Sequence, residues 1–210
     1  MTIRSVIAVM LSIAFISTIG PVDLDSSAGE VYEAQAGEPH YLGINGLAFD
    51  TRNGEPSIPA ALRLADYPAD GDGYYIVQFS GPVTEEYKES LTLAGAEILN
   101  YVPSNAFLVR ADPARRANLE RVQAVQWTGI FQPAYKIVPE LTFEAGIVEA
   151  QIITFNPDGV NAVLELLPER RVIYTYEGKD FGRVDARVTY EQVVEIARLA
   201  DVNFIQPREV

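Results

Sequence analysis

The stretch YYIVQFSGPVTEEYKESLTLAGAEILNYVPSNAFLVRADPARRANLERVQAVQWTGIFQP, Tyr74 to Pro133, decides the fold. Tyr74 to Phe79 is a β-branched and aromatic run of strand length, ended by Gly81-Pro82. Glu85 and Glu86 behind Thr84 favour a helix start, Tyr87, Leu91 and Ala94 share one helical face, and Gly95 suits the stop. Glu97 to Val102 and Ala106 to Ala111 read as strands joined by Pro103-Ser104-Asn105. Asp112-Pro113 supplies an N-cap and a first-turn proline for a helix running to about Val122. Val125 to Phe131 closes the unit as a strand. The order is strand, helix, strand, strand, helix, strand.

A looser copy follows from Glu149 to Pro207. Glu149 to Phe155 and Val202 to Gln206 are its outer strands, with Arg171 to Tyr176 and about Arg183 to Val188 between the helices. Asn156-Pro157 repeats the cap-and-proline start before the stripe Val160, Val163, Leu164 and Leu167. Thr189 and Gln192 have capping-box spacing ahead of Val193, Ile196, Ala197 and Ala200. Anchors keep similar offsets: Phe79 to Phe155 is 76 residues, Trp127 to Phe204 is 77, and Pro133 to Pro207 is 74. The expected fold class is α+β, two tandem ferredoxin-like (βαββαβ) domains at 73–138 and 139–210, each an antiparallel sheet with two helices on one face. The opposite sheet faces are expected to be bare, with a partner protein as the natural cover.

Residues 1–28 read as a signal peptide: Arg4 precedes an apolar run from Val6 to Ile19 that is too short to span a bilayer comfortably. Export to a secreted, extracellular location without a stable membrane anchor is the expectation. Residues 29–72 read as an irregular lead-in rich in Gly, Pro and Asp, whose short apolar clusters Leu47-Ala48-Phe49 and Ile58 to Leu64 suit docking on a neighbour.

A formal charge of −13 makes nucleic acid a poor partner, because phosphate binding needs a cationic face. Cysteine is absent, and the one histidine, His40, stands outside both repeats, so nucleophilic triads and zinc sites have no residues to use. No calcium loop or phosphate loop occurs. The expectation is no catalytic residues, no metal and no cofactor. Trp127, Phe131, Tyr135 and Phe204 are aromatic residues expected to serve either the core or an interface.

Over Tyr74 to Lys136 the sequence resembles the propeptide of large secreted bacterial subtilisin-like serine proteases. The matching words are YYIVQFSGPVTEEYK, GAEILNYVPSNAFLVRADP and VQWTGIFQPAYKI. LADVNFIQPRE is similar to the family's Val-x-Trp/Phe-Ile-x-Pro close, and LAFDTRNGEPSIPAALRL (Leu47 to Leu64) fits its lead-in. The resemblance implies an intramolecular chaperone and inhibitor that packs a sheet face on a subtilisin-like catalytic domain, in cis or in trans. It also implies a tail laid in the active-site cleft: Gln206, Pro207, Arg208, Glu209 and Val210 for the second unit, and Lys136 to Leu141 as the matching exit from the first. The family's catalytic Asp, His and Ser blocks do not occur in these residues, so no enzyme activity is expected of them. The alternative is a tandem ligand-binding or cell-surface structural module unrelated to proteolysis, with a small-molecule pocket between the repeats or a self-pairing sheet face.

Overall fold

Tyr74 to Phe79 lies in an inner strand of a four-stranded antiparallel sheet, and the second repeat builds a sheet of the same order. The computed structural model describes residues 40–143 and 146–209; the expected signal peptide lies outside them. The first unit comprises β3 (Gly73–Phe79), α1 (Glu85–Leu93), β4 (Glu97–Val102), β5 (Ala106–Ala111), α2 (Arg116–Leu119, entered through a 3-10 turn at Pro113–Arg115) and β6 (Val125–Ile130). Its strands lie in the order β4-β5-β3-β6. The second comprises β7 (Val148–Thr154), α3 (Gly159–Glu165), β8 (Val172–Glu177), β9 (Gly182–Val188), α4 (Tyr190–Ala197) and β10 (Val202–Pro207), ordered β10-β7-β9-β8. All neighbouring strands in both sheets are antiparallel.

The helix ends use the expected caps. Thr84 Oγ1 accepts from the Tyr87 amide, Asp112 from the Ala114 amide at 2.8 Å, and Asn156 Oδ1 from the Gly159 amide at 3.0 Å. Thr189 and Gln192 close a full capping box. Each cap satisfies amides that a helix start leaves without partners. Leu91 and Leu119 are fully buried under the first sheet, and Val160, Val163, Val193 and Ile196 under the second.

The lead-in departs from expectation. From Tyr41 it is a hairpin, β1 (Tyr41–Ile44) and β2 (Leu47–Asp50), turned by Asn45 (φ 45°) and Gly46 (φ 81°). Two consecutive positive φ angles make the turn whose twist matches a two-residue hairpin. Gly46 is also required by space, because a Cβ there would stand 2.2 Å from Pro139 Cγ.

The hairpin corrects a second expectation, that the helix-free face of the first sheet is bare. Tyr75, Val77 and Phe79 point to the helices, where Phe79 stacks on Tyr87 (5.1 Å, 6°) and the Arg116 guanidinium lies over the Tyr75 ring. Tyr74, Ile76 and Gln78 point the other way and are equally buried, so β3 is covered on both faces. Thr51 Oγ1 donates to Gln78 Oε1 at 2.7 Å, and Phe49 packs edge-on against Trp127 (5.7 Å, 70°) and stacks on Tyr135 (6.0 Å, 20°). An amphipathic hairpin of this size cannot be stable alone, and an apolar sheet face exposed to water is costly; each solves the other's problem.

The two units are joined tightly. Tyr74 stacks on Phe155 (4.5 Å, 13°), and its hydroxyl donates to Asp201, which Asn156 also holds at 3.0 Å. Gln132, itself buried, accepts from the Leu64 amide at 2.7 Å and donates to the Leu64 carbonyl at 3.2 Å, imitating a strand pair. Arg198, just past α4, donates to the carbonyls of Ala61 and Arg63 in the lead-in.

Candidate protein-docking face

β9 reads Arg183-Val184-Asp185-Ala186-Arg187-Val188, a strict alternation of charged and apolar residues. Period two sends the valines and Ala186 to the helices and the charges to the other side. Among the described residues that other side has no hairpin over it. Register aligns three cross-strand rows on it: Phe204, Ile153, Arg183 and Tyr176; then Gln206, Gln151, Asp185 and Tyr174; then Arg208, Glu149 and Arg187.

The charges are organised around Asp185, whose side chain is almost fully covered. Arg183 grips it with two bonds of 2.6 and 2.7 Å, and Arg208 adds a third at 3.2 Å. Burial alone would raise the Asp185 carboxyl, but the two guanidiniums outweigh it and hold the group below the usual carboxylate range. Arg208 also reaches Glu149 at 3.1 Å, and Arg187 pairs with Glu149 at 3.0 Å from the other side; hydrogen bonds from both arginines hold Glu149 low too. Within the middle row, the Gln206 and Gln151 amides meet at 2.8 Å. Such a network fixes rotamers before any partner arrives, which lowers the entropy that binding would cost.

Aromatic area flanks the charges. The Arg183 guanidinium sits 5.5 Å from the Tyr174 ring centre, and Tyr176 packs against Phe181 at 5.4 Å. Tyr174, Tyr176 and Phe181 are 49%, 44% and 43% exposed. Exposed tyrosines beside a half-buried arginine have the composition of a protein interface.

The residues singled out from sequence fall in different places. Phe131 and Tyr135 are buried where hairpin, linker and second unit meet, and Trp127 lies half-buried beneath Phe49; these three are packing residues. Phe204 is on the open face. Gln206 and Pro207 belong to β10, and Arg208 is tied to the sheet by its amide (2.9 Å to the Glu149 carbonyl) and by its side chain. The exposed chain therefore begins at Glu209, with Val210 outside the described residues. The exit from the first unit is docked in cis. Lys136 is fully buried with Nζ donating to the Leu199 and Ala200 carbonyls (2.6 and 3.2 Å), Ile137 bridges Ile205 at the edge of the second sheet, and Leu141 is buried. Tyr174, Tyr176 and the Asp185 network escaped sequence reading, although the β9 alternation carried the signal.

With this geometry in place, comparison with known proteins adds one match. Residues 44–132 match the family described as a domain of unknown function (DUF8729). No curated protein matches the chain. The matched span runs from Ile44, the last residue of β1, through β2 and the whole first sheet.

A cleft of about 540 Å³ lies between the units, floored by Tyr74 and Phe155 and rimmed by Glu97, Arg110, Lys179 and Asp180. It is open to solvent, and Arg110 is already engaged by Glu97 and Asp72. No cluster of three or more metal-ligating side chains occurs among the described residues.

Proposed function

We propose that both units are ferredoxin-like modules of a non-catalytic proregion that binds a subtilisin-like serine protease, templating its folding and blocking its cleft. The observation that carries this reading is an asymmetry: the first sheet has its helix-free face covered in cis, while the second keeps a face lined with tyrosine and arginine. In this reading the second module docks. The first supports it through Tyr74, which meets Asp201, and Lys136, which meets the Leu199 and Ala200 carbonyls. Strand order and the single helix layer support the ferredoxin-like assignment. The sequence words from Tyr74 to Lys136 and the LADVNFIQPRE close support the protease as partner.

Because β10 runs to Pro207 and Arg208 anchors the face, the inhibitory tail is the segment after Arg208. Two proteins distinguish docking from cleft blocking: the 210-residue chain and a form ending at Arg208, each titrated against a mature subtilisin-type protease. The expected result is binding by both, with inhibition weakened in the shorter form. Absence of binding by both to every subtilisin-type enzyme tried contradicts the reading.

A further inference from the structure

We propose that β8 pairs antiparallel with the β8 of a second copy of this chain, joining two four-stranded sheets into one continuous sheet. The inference stands on the strand edge and is independent of the protease reading. β8 is the terminal strand of the order β10-β7-β9-β8, so among the described residues one side of its backbone has no partner strand. Its five residues from Ile173 to Glu177 are all exposed, which no other strand among the described residues matches. The other edge of that sheet, β10, is partly closed by Ile137 and Val138.

Natural edge strands are usually protected by proline, lysine or strong irregularity. Val172-Ile173-Tyr174-Thr175-Tyr176 has none of the first two and consists wholly of β-branched and aromatic residues. The one irregularity, a register shift between Val172 and Tyr174, leaves Tyr174 to Glu177 regular. Such an edge recruits a strand.

Charge selects the recruit. The strand begins beside Arg170-Arg171 and ends at Glu177. Antiparallel pairing of two copies sets the basic start of each against the acidic end of the other, while parallel pairing sets like against like. A two-fold pair also consumes both free β8 edges, so the assembly closes at the dimer.

Sedimentation velocity of the chain from about 1 to about 200 µM tests this, because a strand-edge dimer without further contacts falls in the micromolar range. The expected result is a concentration-dependent monomer–dimer equilibrium. Glu177→Arg weakens it about tenfold, because one substitution changes both symmetric contacts. Adding Arg170→Glu to Glu177→Arg restores it. Thr175→Lys, which places a charge on the edge, abolishes it with the monomer's circular dichroism unchanged. A chain that stays monomeric throughout overturns the proposal, as does a dimer indifferent to Glu177→Arg and Thr175→Lys.

Discussion

Lys136 is a fully buried amine held by two carbonyls at the end of α4, over the Phe131 ring. Loss of hydration pulls its pKa down from 10.5 to about 7, against the pull of nearby Asp201 in the other direction. Between those values the unfolded chain holds a proton that the folded chain has released. Stability therefore rises from about pH 7 toward pH 10 and is lost as pH falls through 7, with a slope approaching ~1.4 kcal/mol per pH unit. Buried Tyr67, Tyr74 and Tyr135 have raised pKa values, desolvation being the first cause, so above pH 10 the sign reverses. Urea midpoints from pH 6 to 9 should climb in the natural chain and stay nearly flat in Lys136→Met. The variant should match or exceed the natural chain at pH 6, since replacing a buried charge by an apolar isostere is often neutral or stabilising. At the same junction, Tyr74→Phe removes the bond to Asp201 and should cost about 1–2 kcal/mol, because a hydrogen bond to a charged group is lost while Asn156 still satisfies the carboxylate.

Among the elements, the hairpin β1–β2 decides which sheet has its helix-free face covered. Phe49 is its anchor, buried between Trp127 and Tyr135. Phe49→Ala should destabilise the chain by about 3–4 kcal/mol, the usual cost of emptying a buried aromatic site. Trp127 is the sole tryptophan, so its emission should shift to longer wavelength as the hairpin loosens. Most strands and helices of both repeats were legible in the sequence: Glu97–Val102 and Ala106–Ala111 match their expected ends, and the caps at Thr84, Asp112 and Thr189 form, but the helix expected to run to about Val122 is a 3-10 turn and a short α-helix that ends at Leu119. Local chemistry dictates those features. The hairpin escaped because its strands are four residues long, too short to show a period of two, although Asn45-Gly46 is a two-residue hairpin turn signal in its own right. The covering of the first sheet was illegible for a different reason. Contacts such as Thr51 to Gln78 join residues far apart in sequence, and no local pattern records them. The candidate face of the second sheet was half legible, through β9, but Arg208 meeting Asp185 depends on register across three strands.

At the scale of the molecule, the lead-in, linker and both sheets share contacts, with Tyr74, Lys136, Phe155 and Asp201 bridging units in the interior and Arg198 at the surface. One cooperative thermal transition is expected, and Asp201→Ala should lower it as a whole, leaving Tyr74 and Asn156 without their acceptor. A calorimetric trace with two separated transitions would show the units to be independent. A joined body matters for the proposed function because it holds the second sheet's face rigid while the first sheet, hairpin and linker keep the rest covered. The most direct test is the dissociation constant for a subtilisin-type protease with its active-site serine blocked, comparing the natural chain with Tyr176→Glu and Tyr101→Glu. Tyr176 lies on the open face of the second sheet; Tyr101 is an equally solvent-facing tyrosine on the first sheet, 58% exposed. The account predicts that Tyr176→Glu weakens binding at least about a hundredfold, as burial of a charge at an interface centre does, and that Tyr101→Glu leaves it unchanged. Undiminished binding by Tyr176→Glu, or a loss confined to Tyr101→Glu, would contradict it.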